Sequence, residues 1–486
     1  MVSLLLPETL DGVISSGGWR RPGGGSADAV EPATGQVLAK VGLADPDDVR
    51  RATRLAAAAQ RQWAAAGHRD RIRVLRDAAG LLRVHRDEFT EWLVRESGST
   101  RGKAAFEIES VLDELYVAAG LPGQSPGHLL PPTPGRRSVA HRTPIGVVGV
   151  ISPWNVPLVL SMRAVAPALA LGNAVVLKPD PRTAVCGGLL IARLFEEAGL
   201  PDNVLHVLPG TAVAGAALVE DPAVGMIAFT GSTAVGRAIG ERAGRALKRT
   251  SLELGGNNAL LVLADADIAT AAAIGAFSSF FHQGQVCMAA GRHIVLDAVA
   301  DSYAELLTRR ANEITVGDPW REEVSLGPLI DTGQLKRVSD IVAESVTGGA
   351  RLLAGGTHRH LYYAPTVLDG VTPEMPAFRE EIFGPVAPIV RVRDEEEAIE
   401  VANTDEHGLV AAIVTGAPER AESLADRLRV GIVHINDPII EDDAYVPFGG
   451  LGASGNGSRH GALHHWDEFT EWRWITTRDT AVSPAF

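Results

Sequence analysis

Residues 45–120 read as helices. Asp45-Pro46-Asp47-Asp48 forms an N-terminal cap ahead of Val49-Arg50-Arg51-Ala52-Thr53-Arg54-Leu55-Ala56. The pattern breaks at 122–144, where Pro131, Pro132, Pro134 and Pro144 interrupt a stretch with few long apolar runs. That stretch predicts an excursion from the domain as an extended β-arm. From 145 onward, short β-branched runs alternate with helical segments. Val147–Ile151, Ala174–Leu177, Val204–Leu208 and Met226–Phe229 read as strands, with helices at 185–198 and near 212–220 between them. This alternation predicts a parallel sheet with helices on both faces. A second α/β pattern opens after Gly255-Gly256. Its predicted strands are Ala259–Leu263, His293–Leu296 and Ala387–Val390, and its helices 267–280 and 300–314. The late run Trp472–Thr477 alternates bulky and polar residues. It is expected to pair with the 122–144 arm or with another subunit.

A chain of 486 residues exceeds one simple core and predicts two or three domains. The formal net charge of −14 argues against nucleic acid and anionic membrane as partners. No apolar stretch is long enough to span a membrane. The opening Met1–Glu8 lacks the basic region of a signal peptide. The two cysteines, Cys186 and Cys287, make no disulfide framework and fit a reducing compartment, so a cytoplasmic location is expected. His358, His360, His464 and His465 show no metal-ligand spacing, and no metal is expected.

Lysine is scarce here, so Lys178 at the end of the strand Ala174–Leu177 stands out. The ends of parallel strands are where α/β folds bind ligands, although a solvated strand-end lysine is the plainer alternative. Phe229-Thr230-Gly231-Ser232-Thr233-Ala234-Val235-Gly236 follows a strand and opens a helix, a place where free N–H groups and a glycine turn can meet a phosphate. Its G-x₄-G spacing is neither a dinucleotide fingerprint nor a P-loop, and a simple cap with a packing glycine fits it as well.

Cys287 lies in the polar turn His282-Gln283-Gly284-Gln285-Val286-Cys287, where a thiolate can form and attack carbonyl carbon. An inert packing thiol is the alternative. Asn155, stiffened by Pro153 and Pro157, is a candidate donor to an oxyanion or a turn residue. Glu253 sits between Leu252 and Leu254. It is either a buried general base or a surface acid on an edge strand. Glu380-Glu381-Ile382-Phe383 can clamp a ribose or end a helix.

In this order, the motifs around Asn155, Lys178, Gly231–Ser232, Glu253, Cys287 and Glu381–Phe383 resemble the aldehyde dehydrogenase superfamily from about residue 30 to the C-terminus. Within it, Leu160-Ser161-Met162-Arg163 and the run from Ile435-Asn436-Asp437-Pro438 through Pro447-Phe448-Gly449-Gly450 to Arg459 are most similar to the benzaldehyde, salicylaldehyde and vanillin dehydrogenase group.

The resemblance implies an α/β fold with a Rossmann-like coenzyme domain (1–121 and 145–254), an α/β catalytic domain (255–455) and an oligomerisation β-arm (122–144 and 467–486). It implies a homodimer or homotetramer using NAD or NADP, with NAD slightly ahead. Cys287 would be the nucleophile, Asn155 the oxyanion donor and Glu253 the base that activates water. Ile151, Ser152, Trp154, Lys178, Asp180, Gly210, Gly231, Ser232, Leu254, Glu381 and Phe383 would hold the coenzyme. Val156, Arg163, Val286, Met288, Ile439, Ile440 and Phe448 would surround an aromatic aldehyde, with Arg163 meeting a ring hydroxyl or pairing with a structural acid.

Two positions depart from the family pattern. Pro181 stands where many NAD-preferring relatives carry a ribose-binding glutamate, which Asp180 partly replaces. Asn257 replaces a usual lysine, a change expected to affect local packing. A cofactor-free thiol esterase would not need Lys178 or the Glu381–Phe383 pair. A CoA-acylating enzyme would typically lack the base at Glu253.

Overall fold

The computed structural model describes residues 3–5, 10–131, 133–462 and 464–481. The first helices are α1 (Pro46–Ala65), α2 (His68–Val84), α3 (Arg86–Ser97) and α4 (Arg101–Gly120). The Asp45 side chain accepts from the Asp48 backbone N–H and closes a capping box at the start of α1.

Helices α2 to α4 pack on further helices, while α1 packs on a seven-stranded sheet. Its five parallel members run, in spatial order, Arg249–Glu253, Val224–Thr230, Val147–Ile151, Ala174–Lys178 and Leu205–Val207. Two short antiparallel strands, Ile14–Ser15 and Trp19–Arg20, complete one edge. The strand Val147–Ile151 lies between its successor in the chain and a much later strand. It therefore marks the point where the order reverses, and a ligand crevice forms beside such a point. The loop after it carries Ser152, Trp154 and Asn155.

Helix α5 (Pro157–Ala170) follows, and every one of its residues is buried. Its composition accounts for that: it is apolar on all sides except for Ser161 and Arg163.

A second seven-stranded sheet runs Arg351–Ala354, Thr366–Asp369, Val386–Val392, Ala290–Leu296, Asn258–Val262, Val410–Val414 and Ile432–Ile435, parallel except for the first. The link from the first sheet is the short Leu254–Asn257 segment. The chain returns late to close the junction: Leu254 N–H donates to Ser454 O at 2.9 Å, and Ser454 Oγ donates to Gly255 O at 2.7 Å.

The run Thr470–Thr477 is a strand, and its partner is within the chain. It pairs antiparallel with Arg137–Pro144 across eight residues, and Gly127–Leu129 completes a three-stranded arm. Strands that short apolar runs did not announce include the hairpin Ser26–Val30 with Val37–Gly42. Among the described residues no helix is long and apolar enough to cross a membrane.

Candidate active site

The two sheets meet end to start. Ile151, Lys178, Thr230 and Glu253 occupy the C-terminal ends of strands in the first sheet. Gly255–Gly256, Cys287 and Glu381–Phe383 lie just before strands of the second. Two cavities open along this seam and share Pro153, Trp154, Thr230, Gly231 and Ser232.

The larger cavity, about 720 Å³, runs along the strand ends and is lined by Ile151, Ser152, Lys178, Asp180, Gly210 and Arg182 among others. Ser232 occupies the N-cap position of the helix Thr233–Arg245 without a side-chain capping bond. The helix N-terminus therefore keeps free N–H donors toward the cleft. Gly231 also packs closely: a Cβ there would come within 2.5 Å of the Phe229 ring. Lys178 is buried, which lowers its ammonium below the usual range, and Nζ donates to Pro179 O at 3.1 Å. Asp180 stays ionised against its burial because the Arg182 fork grips it, with Nε and Nη2 each 2.9 Å from a carboxylate oxygen. Arg182 also stands over the Trp154 ring at 5.0 Å and was not foreseen. Its clue was its place two residues after Asp180.

The second cavity, about 450 Å³, is lined by Asn155, Leu160, Leu254, Cys287, Glu381 and Phe383 with others. Cys287 is half-buried and presents its thiol there. Burial pushes that thiol up to about 12, Glu381 pushes the same way, and Arg163 opposes it. Cys186, in contrast, is wholly buried and packs in the first core.

The Cys287 turn is tightly held. His282 and Gln283 adopt left-handed backbone at φ 48° and 56°. Gln283 Nε2 donates to Gly98 O at 3.1 Å and to Pro328 O at 2.7 Å. Gly284 is obligatory, because a Cβ there would reach 2.1 Å from Gly384 O. Asn155 Nδ2 donates to Gln285 O at 2.9 Å, which brings the amide beside the turn.

Glu381 accepts from Gly256 N–H at 3.1 Å, and burial still raises its carboxyl to about 7. The approach requires Gly255, whose Cβ would sit 2.3 Å from Glu381 Oε2. Phe383 is left-handed at φ 55° and meets Trp154 edge to face, 5.4 Å between ring centres. Gln334 and Arg337 hold this loop by its carbonyls: Gln334 Nε2 donates to Phe383 O at 2.7 Å and Arg337 Nη2 to Glu381 O at 2.9 Å. Both line the cavity. Their helix carries no motif, so nothing in the sequence pointed to them.

Glu253 is at the end of an edge strand but is buried, only 4% exposed, so the surface-acid alternative is wrong. The return segment 454–458 covers that edge. Burial raises its carboxyl to about 8, with Arg163 the main opposing influence. Oε1 lies 3.5 Å from Ser458 Oγ, and Oε2 has no partner among the described residues. Glu253 does not line the cavity that exposes Cys287.

The expected aromatic pocket is only partly assembled as the sequence suggested. Val286, Met288, Ile439, Ile440 and Phe448 share one buried cluster, and Cys287 packs against it. Val156 packs instead against the core of the first sheet. Of the two roles foreseen for Arg163, the structure has the acid pairing. Its guanidinium contacts Asp442, lies 3.5 Å from Glu114 and sits 4.4 Å over the Phe448 ring. A lone charge on a fully buried helix needs such partners. Asn257 has the packing role expected of it, donating to Phe378 O and to Asp405, each at 2.7 Å. Among the described residues no group of three or more His, Cys, Asp or Glu is arranged for a metal.

The profile described as "Aldehyde dehydrogenase family" matches residues 19–475. A vanillin dehydrogenase of an Amycolatopsis species is 52% identical over 99% of this chain and 100% of its own length. A "Benzaldehyde dehydrogenase [NAD(+)]" of Pseudomonas putida is 50% identical over 96% of each chain. The crystal structure of betaine aldehyde dehydrogenase from Staphylococcus aureus in complex with NAD+ superimposes with a TM-score of 0.95 at 27% identity, covering 100% of this chain and 98% of that one. The chain belongs to the aldehyde dehydrogenase family.

Proposed function

We propose that this enzyme oxidises aromatic aldehydes to carboxylic acids with NAD or NADP, through a covalent adduct on Cys287. The observation that carries the reading is the position of the Cys287 thiol. Cys287 lines a cavity that shares a wall with a larger cleft on one side and packs against an apolar cluster on the other.

The cleft suits a dinucleotide. The uncapped helix N-terminus at Ser232 fits a pyrophosphate, Lys178 fits ribose hydroxyls, and Glu381 with Phe383 fits the second ribose and ring. When bound, the nicotinamide would supply the hydride acceptor for oxidation of the sulfur-bound carbon. Ile151, Ser152, Trp154, Asp180, Gly210, Gly231 and Leu254 complete its surroundings in this reading. Asp180 opposes a 2′-phosphate less than a free carboxylate would, because Arg182 neutralises it. Both coenzymes are therefore accepted, NAD slightly ahead.

Cys287 gives its proton to solvent and its sulfur bonds to the aldehyde carbon as the carbonyl π bond opens onto oxygen. Asn155 Nδ2 and the Cys287 backbone N–H hold the resulting oxyanion. Glu253 then takes a proton from water, whose oxygen attacks the acyl carbon. The carbon–sulfur bond breaks and Glu253 returns the proton to the leaving sulfur, releasing the acid and the thiol. Glu253 must turn from Ser458 toward Cys287 to do this.

The domain division stated above belongs to the same reading, as does assembly into a homodimer or homotetramer through the arm, which exposes Leu129, Trp472, Trp474 and Ile475. Free Cys186 and Cys287 fit a cytoplasmic location. The test is reduction of NAD and of NADP with benzaldehyde and with hexanal. Benzaldehyde is expected to win. Preference for hexanal overturns the substrate class, and no coenzyme reduction with any aldehyde favours the esterase.

A further inference from the structure

Two charged side chains that line neither cavity bear directly on Asn155. Lys103 and Glu107 stand one turn apart on α4 and form an ion pair with side-chain exposures of 1% and 0%. Lys103 Nζ donates to the backbone carbonyl of Asn155 at 2.7 Å. Glu107 Oε2 accepts from the Leu158 and Val159 N–H groups at 3.0 and 3.4 Å. Helix α5 has Val156 at its N-cap and no side-chain cap of its own, so Glu107 provides that cap from another helix. The Asn155–Val159 turn is thus gripped at both ends by α4, while the Asn155 amide reaches Gln285 O in the nucleophile's turn.

A buried ion pair adds little net stability, since desolvation cancels much of the attraction. What it does here is fix a backbone carbonyl and two N–H groups to points in space. We infer that Lys103 and Glu107 are positioning residues for the oxyanion donor, setting where the Asn155 amide stands relative to Cys287. This rests on the reading of Asn155 as that donor. A misplacement of about 1 Å in such a group costs on the order of 10²-fold in rate.

The test is a double-mutant cycle between the paired change Lys103→Met with Glu107→Gln and the single change Asn155→Ala. The paired change leaves no unpaired buried charge, and glutamine keeps an acceptor for Leu158 and Val159. In the full-length enzyme with benzaldehyde and NAD, kcat should fall roughly 10- to 100-fold while both KM values stay within about two-fold. Alkylation of Cys287 by iodoacetamide should proceed at the wild-type rate. On the Asn155→Ala background the paired change should cost almost nothing further, because its target is already gone.

If the paired variant does not fold, Glu107→Gln alone carries the same cycle. Wild-type kcat in a folded variant overturns the inference. So does an equal further loss on the Asn155→Ala background, which would mean general loosening. Normal turnover of Asn155→Ala instead overturns the oxyanion reading, and this inference with it.

Discussion

The larger cleft, where the proposed reading seats the coenzyme, and the Cys287 cavity share a wall and are built on different principles. The cleft is made largely of strand ends, small residues and one helix N-terminus, with Gly210, Gly215, Gly231, Ala212 and Ala216 along it. Its lining is largely backbone geometry; Asp180 is matched there by Arg182, while burial holds Lys178 below its ordinary range. Around the Cys287 cavity burial pushes three acids upward, two in its lining and Glu253 just outside it. The Cys287 thiol is pushed to about 12, and Glu253 and Glu381 to about 8 and 7, with burial the first cause of each. Binding comes from a fold that tolerates many side chains. Chemistry comes from a few side chains that the fold keeps uncomfortable.

The sharpest way to separate the two regions is Cys287→Ala. It should lower turnover by at least about 10³-fold, while coenzyme binding, followed by fluorescence titration, stays at the wild-type value. Residual turnover near wild type would remove Cys287 from the chemistry.

Glu253 comes next. Glu253→Gln should slow deacylation by about 10²- to 10⁴-fold, and mass spectrometry of the quenched reaction should show an acyl adduct on the protein. In the wild-type enzyme deacylation should rise with pH through about 8, where the carboxyl titrates. Stability should run the other way. The folded state holds this proton more tightly than the unfolded chain, so the contribution is full below the ordinary value of 4.5 and is lost as pH rises through about 8. The melting temperature should therefore decline across that window, and less so in Glu253→Gln. A flat profile in both would mean that Glu253 titrates normally.

The smallest effect belongs to the cleft. Lys178→Ala should raise the coenzyme KM about tenfold, the loss of one charged hydrogen bond, with kcat nearly unchanged. A kcat loss of the same size would show that the two regions are not separable.

Much of this was legible in the sequence because regular alternation and motif order survive in any context. The strands ending at Ile151, Lys178 and Thr230 are bounded by turn residues, so their ends, and hence the cleft, could be placed. What was not legible depends on tertiary company. Glu253 reads as exposed or buried until the distant segment 454–458 is laid over its strand. Arg163 reads equally as a substrate contact or as the partner of a structural acid until Asp442 and Glu114 arrive from elsewhere in the chain. Gln334 and Arg337 matter only because their helix faces the loop that carries Phe383.

The three-stranded arm has a consequence for how the chain comes into being. Arg142 and its contact Thr470 are separated by 328 positions, and the strand Arg137–Pro144 gains its longest partner only from Thr470–Thr477. At ordinary rates of synthesis the earlier strand leaves the ribosome some 15–65 s, in rough terms, before the later one exists. Through that interval it presents an open edge to every other nascent copy. Its proline-rich neighbourhood and the basic Arg136, Arg137 and Arg142 are the kind of features that discourage such an edge from sticking. Closing the arm thus waits on residues made long after its first strand, and a truncation after residue 469 would leave Asn155, Glu253 and Cys287 present in a polypeptide prone to aggregate.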